Sequence, residues 1–124
     1  VAVLLAEPGS RGLAELMAGA DRLGVGAATL VEASIVLTAR AGPAGVAALE
    51  ALLADAEVTV VPFTEAHWRV ARSAFARFGK GRHPAALSLG DCYSYATARV
   101  AGQPLLCVGD DFPRTDLPLV TVPT

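Results

Sequence analysis

Five acids stand where the chain passes from one kind of element to another: Glu32, Asp91, Asp110, Asp111 and Asp116. Asp91 lies at the start of a helix whose apolar positions are Ala96, Ala98 and Val100. Gly102 can take the left-handed conformation that ends that helix, and Pro104 blocks any continuation. Leu105–Val108 is a short apolar run of buried-strand type, and it empties into Asp110 and Asp111. In a parallel α/β sheet a helix runs antiparallel to the strand it precedes. A helix start and a strand end therefore share the carboxyl edge, where such folds bind ligands. Asp91 and Asp110 are expected to be neighbours there. Two carboxylates about 5 Å apart repel by roughly 3 kcal/mol at an effective dielectric near 20. A cation, a shared proton or open water must relieve that repulsion.

The same reasoning extends to the other acids. Glu32 falls in the first turn of a helix that follows a strand, and Asp116 lies in the loop beyond Asp111. Glu15, Glu50, Asp55 and Glu65 fall on amphipathic helices, where a solvated face explains them. Glu32 has a competing explanation. Thr29-Leu-Val-Glu32 has the spacing of a capping box, in which Glu32 reaches back to the Thr29 backbone, and taken alone that is the stronger reading. If the acids do gather, only oxygen ligands are on offer, which favours Mg²⁺ or Mn²⁺ over zinc or copper. Such ions polarise a phosphoryl oxygen and ready a water for in-line attack. The loop Lys80-Gly-Arg82-His83, extended by Arg77, can hold substrate phosphates; the plain alternative is a solvated turn.

The elements that position these residues follow from periodicity. Val1–Glu7 is a strand by residue type, or the end of a helix stopped by Pro8-Gly9. Ser10 caps a helix to about Ala20, and Leu23–Ala27 is a glycine-rich strand. Thr29 opens a helix expected to bury Leu30, Val31, Ile35 and Val36. Pro43–Ala54 is a further helix, and Val58–Pro62 is a β-branched strand. Thr64 caps a helix to about Phe78, with Trp68 expected as a core anchor. Tyr93, Ser94 and Tyr95 read as packing and surface residues of the Asp91 helix. Leu119–Val122 is a last, edge strand. Helices alternating with short strands argue for a three-layer α/β domain on a parallel sheet.

Composition narrows the class. One domain over residues 1–124 is expected from a chain of 124 residues, 53% of them hydrophobic, with a net charge of -2. No run approaches the ~20 apolar residues of a membrane span, so a cytoplasmic protein is expected. The charge advertises no nucleic-acid binding as a whole, although a local basic patch can supply it. Cys92 and Cys107 read as reduced, buried thiols, and with His67 and His83 the only imidazoles a Cys/His zinc site is not expected.

Three stretches carry a family likeness: Phe78-Gly-Lys-Gly-Arg-His-Pro-Ala85, Leu89-Gly-Asp-Cys-Tyr-Ser-Tyr-Ala96 and Leu106-Cys-Val-Gly-Asp-Asp-Phe112 with Thr115-Asp116. Together they resemble the signature of PIN-domain ribonucleases, and more narrowly the VapC toxins of toxin–antitoxin pairs. Glu7-Pro-Gly9 and Thr29-Leu-Val-Glu32 also fall where that family places them. The resemblance implies a PIN-like α/β/α sandwich around a central parallel sheet. It implies an acidic, metal-binding cluster of Glu32, Asp91 and one of Asp110 and Asp111, with Asp116 close by. It further implies RNA cleavage with Mg²⁺ or Mn²⁺, often of a structured RNA such as tRNA. A homodimer and a VapB-type antitoxin seated in the active-site groove complete the expectation.

Two departures accompany the likeness. Members of the family begin with a strand ending in an Asp-Thr-Ser type motif, whose Asp is a principal metal ligand. The sequence opens at Val1, and alignment to the family turns Val1–Leu5 into part of the following helix. The expectation is that the first strand and its Asp belong to a short preceding segment; the alternative is a member that lacks them and with them the middle strand of the sheet. Ser88 stands where Asn is common. The expectation is a metal-dependent endoribonuclease acting as a toxin through Glu32, Asp91 and Asp110. The rival is a catalytically silent PIN domain that binds RNA or protein. A small phosphohydrolase or response-regulator-like domain is a weaker third, because those place paired acids near the first strand.

Overall fold

The computed structural model describes residues 2–5, 22–103, 105–107 and 115–121, with residues 2–5, 105–107 and 119–121 as backbone. Its elements are β1 (Ala2–Leu5), β2 (Arg22–Gly26), α1 (Ala27–Ala41), α2 (Pro43–Asp55), β3 (Thr59–Val61), α3 (Glu65–Phe78), α4 (Leu89–Ala101), β4 (Leu105–Cys107) and β5 (Leu119–Thr121). The strands form one sheet in the order β3-β2-β1-β4-β5, and every neighbouring pair is parallel. The helix expected over Ser10–Ala20 lies outside the described residues.

The position of β1 corrects one expectation. Ala2–Leu5 pairs with β2 on one side and with β4 on the other. Ala2–Leu5 is therefore not helical as the family alignment implied, and the sheet does have a middle strand. The run Ala2-Val-Leu-Leu5 is apolar throughout, as a central parallel strand flanked by helices requires. From β1 the chain steps outward to β2 and β3, then crosses back to β4. The strand order reverses between β1 and β4, and the crevice at the carboxyl ends beside such a reversal is where open α/β sheets bind ligands. α1 packs against α2 and, at its start, against β2 and α4.

The described core lies between α3, α4 and the sheet. The alanines Ala71, Ala74, Ala96 and Ala98 are buried and let the helices approach, while Phe78 and Tyr95 fill the space between them with ring centroids 5.9 Å apart. Burying a side chain such as Phe78 stabilises the fold by about 2–3 kcal/mol. α4 packs on β1, β2 and β4, and α3 packs on α4. Gly102 ends α4 at φ 65°, ψ 32°, the left-handed cap its sequence position predicts.

Two groups of large apolar residues are not where periodicity put them. Val31, Ile35 and Val36 are 61%, 66% and 43% exposed, and a shallow apolar groove runs between Leu30, Val31, Ser34, Ile35, Thr38 and Ala39. The reason is the seat of α1. Buried Thr29 faces α4, its Oγ1 3.1 Å from Ser94 Oγ. At roughly 100° per residue, Val31 and Ile35 then point to the opposite side. On α3 the buried positions are His67, Ala71, Ala74 and Phe78. Trp68 is one residue off that stripe and 48% exposed, so it is not a core anchor; Phe75 is 39% exposed.

Candidate active site

Asp91 is held by local capping. Ser88 is the N-cap of α4 and Asp91 its third residue. Ser88 N–H donates to Asp91 Oδ2 at 2.9 Å, and Asp91 N–H donates to Ser88 Oγ at 3.2 Å. This reciprocal box satisfies two donors that a helix start otherwise leaves unpaired, and it fixes the carboxylate at the carboxyl edge. The other oxygen, Oδ1, has no hydrogen-bond partner among the described residues and is available to a ligand. Ser88, the departure from the family's Asn, is thus well suited to its place.

Glu32 reaches the start of α4 from a different element. α1 begins at Ala27, with Gly26 as its N-cap, so Thr29 lies inside the helix and Glu32 falls in the second turn. The capping-box reading of Thr29 and Glu32 is overturned, because the Thr29 hydroxyl bonds Ser94 instead. The Glu32 carboxylate packs against the backbone of Gly90, so closely that a Cβ on Gly90 would fall inside it. Glycine is needed at position 90 for that approach. Glu32 thereby meets the positive end of the α4 dipole, one residue from Asp91, which offsets part of the cost of gathering two carboxylates. The negative charge of Asp91 is felt nearby. Burial, reinforced by that charge, pushes the Cys92 thiol up to about 11, so it stays a protonated, buried thiol as expected.

Asp116 has partners of its own. Its Oδ1 accepts from the Tyr95 hydroxyl at 2.6 Å and pairs with Arg99 at 2.7 Å, and its Oδ2 pairs with Arg77 at 3.1 Å. Tyr95 and Arg99 are four and eight residues along α4 from Asp91, about 6 and 12 Å at 1.5 Å per residue. Burial works to raise the Asp116 carboxyl. The Tyr95 and Arg77 hydrogen bonds and the charges of Arg99 and Arg77 outweigh it and hold the group below the usual carboxylate range. Burial, together with the bond to Asp116, raises the Tyr95 hydroxyl. Arg77, expected to extend a phosphate-binding patch, is drawn into this network and also lies over the Phe78 ring at 4.6 Å.

The basic loop between α3 and α4 is a closed structure. Lys80 N–H donates to Leu87 O and Leu87 N–H to Phe78 O, both at 2.9 Å, and Arg82 and His83 N–H both donate to Gly79 O. His83 Nδ1 accepts from Ala85 N–H at 3.0 Å, and its ring stands edge-on to Phe78. Lys80 and Arg82 are exposed on this loop, which delivers the chain straight to the Ser88 cap. Asp110 and Asp111 lie outside the described residues, three and four positions past the end of β4. Among the described residues no three of His, Cys, Asp and Glu converge as a metal site. The described geometry thus brings the Glu32 carboxylate to the first turn of α4, where Asp91 also stands, and ties Asp116 to Tyr95, Arg77 and Arg99. Gly90 and Ser88 are contributors that the sequence reading missed; a glycine in the first turn of an otherwise well-formed helix was the available signal.

Comparison with known proteins agrees with this architecture. The PIN domain family matches residues 1–117. Ribonuclease VapC36 of Mycobacterium tuberculosis is 49% identical over 105 residues, 85% of this chain and 76% of that protein. Ribonuclease VapC28 of the same species is 42% identical over 116 residues, covering 93% and 87%. A ribonuclease VapC of Mycolicibacterium smegmatis is 40% identical over 120 residues, covering 97% and 93%. The crystal structure of Mycobacterium tuberculosis VapC20, described as a sarcin-ricin loop cleaving toxin, superposes with a TM-score of 0.72 at 18% identity, over 93% of this chain and 95% of that one. With its all-parallel sheet, Glu32 packed on the first turn of α4 beside Asp91, and this kinship over most of its length, the chain belongs to the PIN-domain family, among the VapC ribonucleases.

Proposed function

We propose that the protein is an endoribonuclease dependent on Mg²⁺ or Mn²⁺ and serves as the toxin of a toxin–antitoxin pair. One observation carries the reading. The Glu32 carboxylate, from a helix far away in sequence, packs on Gly90 in the first turn of α4, next to Asp91 at the carboxyl edge of the sheet. The donor set fits a hard divalent cation: carboxylate oxygens, an open Asp91 Oδ1, and no thiolate or imidazole. Asp91, Glu32 and Asp110 would hold the ion, with Asp111 next to Asp110. Asp116, with both oxygens engaged by Tyr95, Arg77 and Arg99, is read instead as a brace for α4. Bound there, the ion polarises a phosphoryl oxygen and lowers the pKa of an attacking water. Ser88 keeps Asp91 aimed, Gly90 makes room for Glu32, and Lys80, Arg82 and His83 offer donors to substrate phosphates. Water is the nucleophile, so no side chain is assigned a covalent role.

The RNA substrate class follows from the VapC kinship, and structured RNA such as tRNA is the first to try. A VapB-type antitoxin and a second copy of the chain are the protein partners in this reading. The exposed apolar face of α1 around Val31 and Ile35 is surface open to them. No helix among the described residues is long and apolar enough to cross a membrane, and a cytoplasmic site of action is part of the proposal. The deciding experiment is RNA cleavage with Mg²⁺ or Mn²⁺, against EDTA and against Asp91→Asn, on protein freed of copurifying antitoxin. Asn keeps one amide oxygen that can accept from Ser88 N–H as Asp91 Oδ2 does, and removes the charge. Metal-dependent cleavage abolished by Asp91→Asn supports the proposal; no cleavage of a tRNA, rRNA and mRNA panel, with RNA binding intact, favours the silent binding module.

A further inference from the structure

The outward face of α3 has no role in the acidic centre, yet its chemistry is uneven. Five of the chain's ten basic residues lie between Arg69 and Arg82, and no acid lies between Glu65 and Asp91. Two of these cations are neutralised, Arg69 by Glu65 at 3.0 Å and Arg77 by Asp116. Arg72, Lys80 and Arg82 have no carboxylate partner among the described residues.

The remaining cations are interleaved with aromatic rings. Trp68, Arg72 and Phe75 follow the i, i+4, i+7 spacing that lines up one face of a helix. Arg72 lies 4.9 Å from the Trp68 ring centroid and Arg69 5.1 Å, while Arg82 lies 5.7 Å from the Phe75 ring. Trp68 and Phe75 remain 48% and 39% exposed. Leaving a Trp in water costs the fold its burial, and the guanidinium contacts return only about 0.5–1 kcal/mol at such a site. From Trp68 to Gly79 the strip runs about 16 Å along the helix. It then continues through Arg82 into the loop that ends at the Ser88 cap.

We propose that Trp68, Arg72 and Phe75, continued by Arg82, form a docking strip for single-stranded RNA that leads to the acidic centre. Bases stack on the two rings while Arg72 and Arg82 meet the phosphates, the combination by which proteins hold unpaired strands with little sequence preference. An aliphatic protein partner is a poor match for a face carrying cations at every turn. The strip rests on the ribonuclease reading only in being a path to that site; RNA binding by it is separable from cleavage.

The test exploits Trp68, the only tryptophan in the chain. A single-stranded RNA of about a dozen nucleotides, 2′-O-methylated so that it is not cut, is titrated in EDTA. Tryptophan emission and the anisotropy of the labelled RNA are both followed. Saturable quenching is expected, weakened by salt, with affinity falling roughly 10-fold in Trp68→Ala and in Arg72→Gln, and Trp68→Phe binding within about 3-fold of the parent. Trp68 is half exposed, so these variants should keep the parent circular dichroism. Unchanged affinity in both Trp68→Ala and Arg72→Gln overturns the strip, as does equal quenching by polyglutamate, which would point to an acidic protein segment. Parent protein that binds RNA through Trp68 but never cuts it sinks the nuclease reading alone. Normal cleavage with unaltered affinity in the variants sinks the strip alone.

Discussion

Asp91 and Asp116 are both tied to α4, yet they are used in opposite ways. Asp91 spends one oxygen on its own helix start and has no partner for the other among the described residues, with Glu32 packed a residue away. Asp116 meets two guanidinium groups and a tyrosine hydroxyl, and its charge is already answered by the protein. An acid surrounded by cations has no electrostatic reason to bind another. Two acids brought together without a cation do. The contrast predicts that the partners a carboxylate already has, and not only its place in a family motif, decide whether it binds metal.

The comparison can be broken first at Asp91. Replacing it by Asn, which preserves the cap, is expected to cut RNA cleavage by about 10²–10³-fold with the thermal midpoint nearly unchanged. A midpoint drop as large as the activity loss would show that Asp91 is merely a cap. The next effect is at Gly90. Gly90→Ala should lower cleavage by roughly 10²-fold by displacing Glu32, the cost of about 1 Å of misplacement. The same change favours the helix by about 0.5–1 kcal/mol, so denaturant unfolding should show stability kept or raised. Cleavage at the parent rate by Gly90→Ala would remove Glu32 from the site.

Asp116→Asn is expected to leave cleavage within a few-fold and to cost at most about 1 kcal/mol, since the pairs it makes are partly solvent-exposed. A loss matching that of Asp91→Asn would return Asp116 to the metal cluster. The smallest effect is a pH dependence. The Asp116 carboxyl is depressed in the folded protein, so its contribution is complete above the unfolded value near pH ~4 and is lost as pH falls through the lower folded value. Acid titrations of stability should therefore diverge only below about pH 4, the parent losing more than Asp116→Asn.

Much of the framework was legible in the chain. The strands at Arg22–Gly26 and Thr59–Val61 and the helix from Leu89 with its Gly102 cap follow from local signals that short-range sterics enforce. So does the helix begun by Thr64, although its capping partner was not foreseen. His67 takes the place usually held by Glu or Gln, its Nδ1 accepting from Thr64 N–H at 3.1 Å. Other local signals misled for physical reasons. Thr29-Leu-Val-Glu32 has the spacing of a cap, but the helix had already begun at Ala27, and the Thr29 hydroxyl found a buried partner in Ser94. Trp68 has the composition of a core residue, but alanines and a histidine, not the largest ring, set the inward face of α3.

The sequence by itself determined which oxygens and cations exist, and that helix starts and strand ends on a parallel sheet share an edge. Those are matters of residue type and chain direction, and they hold whatever the packing. Only the tertiary structure decided which acids meet. Glu32 reaches the first turn of α4 because Gly90 lacks a side chain, and Asp116 is held by Arg77 and Arg99, which come from different helices. Contacts between residues distant along the chain depend on how helices rotate and approach. That is set by summed packing over many side chains and is not encoded at either residue alone.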